Sequence, residues 1–383
     1  MTINDGIFTG AIPFYQAEGQ NGDSAKPDKV SLAINGGSFT STYNGTNENA
    51  VAIKSDDKIG FITGGTFSTK PYDDYIYDDC CAEENSEGKY QVKEVVALVE
   101  VDSTTTKYSS LWKALDAAVD NPNATVNLLS DLDFEGNNWT PFVVPASVSL
   151  TINGNGHTIK NVEIDHYLKD ADGTWVGGVG SGSQATYMCA FIGNNLGSLT
   201  INDLNFSNFN VDMNVGETPV SQGSSQVGVV LGANNGTKAE FNNVNVSDSV
   251  VKGYTKVGVI CGHDQSQKIK IKHTSITKCE VVLEADGTDP DAALSGIIIG
   301  YGAKKESTNG IKLENNKMTI DESVKWNGYT RLTSSDGTIK AGSWGLMSAT
   351  YSTNGYGGNS VKFVEYVDGY GYETAEQAAD ARL

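Results

Sequence analysis

Carboxylates clustered in short loops are the residues of this chain most able to do chemistry. Asp170-Ala171-Asp172-Gly173 is one such loop, and Asp286-Gly287-Thr288-Asp289-Pro290-Asp291 is another. Asp170, Asp172, Asp286, Asp289 and Asp291 offer the hard oxygen ligands that calcium takes. Both loops lack the spacing and distal Glu of a full calcium loop, and solvated acidic turns are the competing reading. Calcium is therefore the one candidate metal, and otherwise no cofactor is expected.

General acid–base chemistry needs two groups, and glycoside hydrolysis uses a pair of carboxylates. Asp203, Asn243, His273 and Asn315 fall at one place in four related segments, and only one of them is acidic. That column reads as a polar ladder at a turn. His157, in Asn-Gly-His-Thr, reads as a corner residue. The four histidines lie too far apart in sequence to suggest a zinc site or a Ser-His-Asp set. Asp73-Asp74 and Asp78-Asp79 read as charged surface. Trp326, Tyr329, Trp344, Tyr351 and Tyr356 stand among glycines and could stack on sugar faces, or fill a cap or a subunit interface.

Composition narrows the partners. The chain has 383 residues and a net charge of −20, which repels nucleic-acid phosphate and anionic lipid. No apolar stretch reaches the length of a membrane span. Met1-Thr2-Ile3-Asn4-Asp5 lacks the basic and apolar segments of a secretory signal, which favours a trimmed chain or one released without a signal. Cys80, Cys81, Cys189, Cys261 and Cys279 have no Cys-x-x-Cys spacing, so neither a zinc site nor a disulfide framework is expected. Cys189 and Cys261 sit in apolar runs and read as core residues, and Cys80-Cys81 reads as a pair of loop thiols.

The elements that must position these residues are repeats. Ile3-Asn4-Asp5-Gly6-Ile7-Phe8-Thr9, Ile34-Asn35-Gly36-Gly37-Ser38-Phe39-Thr40 and Ile62-Thr63-Gly64-Gly65-Thr66-Phe67-Ser68 begin 31 and 28 residues apart. A period in this range points to a solenoid, propeller or array. Stacking in register would put Phe8, Phe39 and Phe67 in an aromatic ladder. A second array places Gly193, Gly232, Gly262 and Gly300 at corresponding points, each followed by alternating apolar and polar residues. Alternation is strand periodicity with one face buried. Between the arrays, residues 93–108 read as strand on Val95, Val96, Leu98, Val99 and Val101. Leu111, Leu115 and Ala118/Val119 predict a helix capped by Ser109 or Ser110 and ended by Pro122. Ala124 to Leu129 predicts the next strand. Residues 373–382 read as a terminal helix.

These residues permit a comparison. Ile62 to Ser68, with Pro71, Tyr75 and Gly88-Lys89-Tyr90-Gln91-Val92, resembles a Gly-Gly-Thr-Phe-Ser repeat of gut Firmicutes surface proteins and of the phages that infect them. Tyr108 to Leu115 with Ala124 to Asp131 resembles the entry of pectin-lyase-like β-helices, tailspikes included. Asn153-Gly154-Asn155-Gly156-His157-Thr158-Ile159 is similar to a first coil of such domains. The resemblance implies a fold that hosts lyases, hydrolases, adhesins and inert rods. Its lyases pair Asp/Glu-bound calcium with an Arg or Lys base.

The expected fold is all-β: a right-handed parallel β-helix (solenoid) with a short capping helix and a β-rich C-terminal cap. The expected divisions are N-terminal repeats (1–92), a strand–helix–strand connector (93–147), the main β-helix (148–324) and an aromatic-rich cap (325–383). The expected function is a non-enzymatic phage structural or receptor-binding protein, such as a head fibre, decoration protein or tailspike-like rod on the virion surface. It would self-associate, as a homotrimer, and touch other virion proteins and host surface polysaccharide, without nucleic acid or membrane insertion. The alternatives are a bacterial cell-surface adhesin fragment among cell-wall proteins, and a polysaccharide depolymerase acting as a lyase or glycosidase.

Overall fold

The structure is a computed structural model. It describes residues 1–16, 32–43, 50–53, 60–165, 187–213, 225–253, 256–266, 268–283, 295–296, 298–301, 312–313, 317–320, 325–326, 344–345 and 360–363. Among the described residues the chain is mostly β, with one α-helix. It divides into two compact units, Met1–Ala117 and Ala118–Leu383.

In the first unit the repeats supply β1 (Thr2–Ile3), β2 (Ile7–Gly10), β3 (Phe14–Gln16), β4 (Ala33–Ile34), β5 (Ser38–Ser41), β6 (Val51–Ile53) and β7 (Gly65–Phe67). Equivalent strands pair in parallel: β1 with β4, β2 with β5, β5 with β7, and β3 with β6. Gly6, Gly37 and Gly65 hold φ of 132°, 103° and 115° at the turn into each strand, a region L side chains avoid. The register brings the predicted aromatic ladder into being. Phe8 stacks on Phe39 at 4.8 Å, and Phe39 on Phe67 at 4.9 Å. Ile3, Ile34 and Ile62 are buried in the same core.

The parallel run ends at an antiparallel hairpin, β8 (Cys80–Glu84) and β9 (Tyr90–Glu94), whose second strand pairs antiparallel with β7. Cys80 and Cys81 are therefore not loop thiols. They open a strand and are buried, because an outward-facing loop would have left their apolar surface in water. Burial, then the nearby Glu83 charge, pushes the Cys81 thiol up to about 11. Asp73, Asp74, Asp78 and Asp79 are exposed, as charged surface should be. A second hairpin follows, β10 (Ala97–Val101) with β11 (Thr104–Tyr108).

The helix α1 spans Leu111–Val119 and buries Leu111, Leu115 and Ala118. Ser110 stands before it, its carbonyl accepting the Ala114 N–H at 3.0 Å. Glu83 accepts the Ser109 N–H and meets Lys113 Nζ at 3.3 Å, tying the start of the helix to β8.

The second unit opens with β12 (Asn123–Leu128), β13 (Leu132–Asp133), β14 (Phe142–Val144), β15 (Ser149–Asn153) and β16 (Thr158–Ile164). It continues with β17 (Tyr187–Cys189), β18 (Ile192–Asn195), β19 (Ser198–Asp212), β20 (Ser225–Val227), β21 (Leu231–Asn234), β22 (Lys238–Ser247) and β23 (Val250–Gly253). After these come β24 (Cys261–Asp264), β25 (Ile269–Lys272), β26 (Ser275–Thr277), β27 (Glu280–Leu283), β28 (Ser295–Gly296) and β29 (Ile299–Tyr301).

Residue-for-residue parallel pairing builds buried columns. Ile152, Ile201, Phe241 and Ile271 form one, and Ile159, Phe206, Val246 and Ile276 another. A third runs Ile164, Val211, Val251, Val281. Ile192, Leu231, Cys261 and Ile299 form a fourth, on β14-β18-β21-β24-β29. The chain leaves the third column at residues 164, 212, 253 and 283. It resumes pairing at 187, 225, 257 and 295.

Two findings differ from the sequence alignment. Beyond Leu313 the register slips by two: Ser275 stands opposite Thr319, not Lys317; Asn315 lies outside the described residues. Parallel pairing also runs past residue 324. Lys325–Trp326 pairs with β27, Trp344–Gly345 with β28, and Ser360–Phe363 with Lys317–Ile320. The predicted helix over 373–382 lies outside the described residues.

Candidate functional site

Asp170, Asp172, Asp286, Asp289 and Asp291 lie outside the described residues, as do Tyr329, Tyr351 and Tyr356. The backbones of Trp326 and Trp344 are described, opposite Val281 and Ser295. The described structure thus brings none of these residues together. Among the described residues no three His, Cys, Asp or Glu side chains gather in a way that could hold a metal.

The Asp203–Asn243–His273 column is a set of corners. Their φ values are 50°, 53° and 51°, and Asn243 Nδ2 donates to Asp203 Oδ1 at 2.8 Å. Asn, Asp and His tolerate this left-handed region better than other side chains. A second set of corners, Asn161, Asn208, Asp248 and Lys278, has φ between 50° and 59°. These two corners fall within the fifteen-residue β19, whose register is the same on either side of each, with β22 across Asp203 and with β16 across Asn208.

Beside the corners run amide ladders. Asn153 Nδ2 donates to Asn127 Oδ1 at 2.8 Å, Asn202 to Asn153 at 2.9 Å, and Asn242 to Asn202 at 2.7 Å. Asn161 donates to Asp133 and Asn208 to Asn161, each at 2.7 Å. Every donor points to the preceding repeat. The array is polar, half-exposed and held at one-strand spacing.

At one exposed corner, His157 Nδ1 lies 3.2 Å from Asp131 Oδ1. The Thr158 N–H, ahead of His157, holds the Asp131 carboxyl below its ordinary value. This agrees with His157 as a corner residue.

The most perturbed groups are interior, and sequence reading missed them. Asn195, Asn234 and Asp264 form a fully buried ladder. Asn195 Nδ2 donates to Asn234 Oδ1, and Asn234 Nδ2 to Asp264 Oδ1, each at 2.8 Å. Asp264 also accepts the Ile269 N–H at 3.2 Å, closing the turn into β25. Burial outweighs these hydrogen bonds and raises the Asp264 pKa. On the neighbouring residue, His263 packs its ring 5.0 Å from that of Tyr301. Burial, then the Lys256 charge, lowers its pKa to about 3, so the ring is neutral. Burial also lowers the Lys256 pKa.

Asn195 Oδ1, Gln226 Oε1 and His263 Nδ1 are buried without a hydrogen-bond partner among the described residues. Perturbed pKa values cluster at functional sites, but structural polar layers perturb them too. Here the polar atoms line strands buried on both faces. The recurrence of Asn at residues 195 and 234, after Gly193 and Gly232, is the signal that would have found the ladder.

No protein-family model, no curated protein and no solved structure matches the chain.

Proposed function

We propose that the chain is a right-handed parallel β-helix serving as a non-enzymatic virion protein of a phage, of the head-fibre, decoration or tailspike-like kind, that contacts host surface glycans. The observation carrying this reading is the in-register column. Apolar columns inside and amide ladders beside them use the repeat as building material. The Asp203 column, the best candidate for stacked carboxylates, places Asn243 and His273 on the neighbouring repeats, where an acid pair would need a second carboxylate. Sugar contact is assigned to the aromatic tract, with Trp326 and Trp344 as stacking platforms. Copies would associate as a trimer on the virion surface.

The test is retention of the purified chain on immobilised host cell-wall polysaccharide, with antibody labelling of intact particles. Trp326→Ala and Trp344→Ala should each weaken retention, and label should decorate particles. Unchanged retention rejects the sugar platforms. Label on uninfected bacterial cells replaces the virion reading with the adhesin. New reducing ends or unsaturated products from the polysaccharide overturn the non-enzymatic reading.

A further inference from the structure

The edge of the first unit formed by β1, β2 and β3 pairs on one side only among the described residues. It carries the same backbone pattern that each repeat offers the next. Asn35 Nδ2 donates to Asn4 Oδ1 at 2.9 Å, Thr63 Oγ1 donates to Asn35 Oδ1 at 2.9 Å, and the three phenylalanines stack. A parallel strand edge of this kind is a template for another chain.

One residue breaks the pattern. The turn reads Asn35-Gly36-Gly37 and Thr63-Gly64-Gly65 in the later repeats, but Asn4-Asp5-Gly6 at the edge. The glycines have a steric reason. A Cβ on Gly36 would lie 2.3 Å from the Asn4 carbonyl oxygen, and one on Gly64 would lie 2.3 Å from that of Asn35. Backbone oxygens cannot yield that far. Stacking a repeat onto its predecessor therefore requires glycine at this position, and Asp5 has a Cβ.

We infer that Asp5 closes this edge against a further in-register coil of the same Ile-Asn-Gly-Gly-x-Phe-Thr type, whether from the chain itself or from a second copy. The opposite edge is closed differently, by β9 pairing antiparallel with β7. The two devices close the two edges of this parallel array among the described residues. Asp5 also has a local role, since its Oδ1 accepts the Gly6 N–H at 2.7 Å, so the experiment separates the carboxylate from the Cβ.

A copy of residues 32–61 is placed ahead of Met1, which keeps Ile34 of the copy close to the repeat spacing from Ile3. It is built with Asp5, Asp5→Gly and Asp5→Ala. Hydrogen exchange over residues 2–10 is followed by mass spectrometry, with β7 as the control for an intact unit. The added coil should slow exchange about tenfold or more in Asp5→Gly only, the scale expected when an edge becomes interior. Phe39→Ala within the copy should remove that protection. Equal protection in the chain that keeps Asp5 and in Asp5→Gly overturns the inference, and so does protection in neither. Protection in Asp5→Ala matching Asp5→Gly shows that the carboxylate, not the Cβ, is the barrier, and also overturns it.

Discussion

Phe39 lies between two parallel rings, its centroid 4.8 Å from that of Phe8 and 4.9 Å from that of Phe67, and its side chain is fully buried. Removing the middle ring of a stack breaks both contacts and leaves a cavity. Phe39→Ala should destabilise the first unit by about 3–5 kcal/mol, and Phe39→Leu by clearly less. Chemical denaturation of the two variants checks this, and equal stability would contradict the ladder.

The buried ladder makes a second prediction. Asn234→Leu keeps the branched outline of the side chain but removes both the acceptor for Asn195 Nδ2 and the donor to Asp264 Oδ1. The loss should be about 1–3 kcal/mol, the cost of leaving a buried polar group unmade. Asp264, deprived of a donor, should titrate higher still. Denaturation midpoints at neutral pH test the first statement and carboxyl NMR titration the second.

His263 sets a pH dependence. Its folded pKa, about 3, is below the ordinary 6.5, so the unfolded chain takes up the proton first as pH falls. Stability due to the neutral ring is whole above about pH 6.5 and is lost towards pH 3, at a limiting slope of about 1.4 kcal/mol per pH unit. Asp264, its pKa raised, acts in the opposite direction in acid. The difference between the wild type and His263→Gln isolates the histidine. Unfolding curves of the two that stay parallel from pH 7 to 4 would count against a buried neutral ring.

All five cysteines are buried and unbridged. Burial raises the Cys80, Cys81, Cys189 and Cys261 thiols, leaving little thiolate near neutrality. A thiol-reactive dye should label the folded chain slowly, Cys80 and Cys81 ahead of Cys189 and Cys261, and label five thiols once denaturant is added. Rapid labelling of Cys189 or Cys261 in the folded chain would contradict the core columns.

Much of the register was legible in the sequence. Alternation after Gly193, Gly232 and Gly262 aligned Ile192 with Leu231 and Cys261, and Leu199 with Ala239 and Ile269, as the pairing has them. Period two reveals which residues face inward, because a one-residue slip would turn the whole apolar set outward. The slip beyond Leu313 was invisible because it is even and preserves the alternation. Cys80 and Cys81 were misread because neighbouring acids outweigh two small apolar residues in any local reading. His263 was missed for a related reason: pattern marks a position as buried but not which polar atoms lie beside it.

The connections that leave the third column at residues 164, 212, 253 and 283 differ widely in length, yet the strands on either side keep one register. Loop-closure entropy grows only slowly with length, so such variation costs little. Length change is thereby decoupled from the fold. Segments can be inserted, exchanged or deleted between these fixed points while the columns stay as they are. Evolution can rewrite these segments one repeat at a time, without designing a new core.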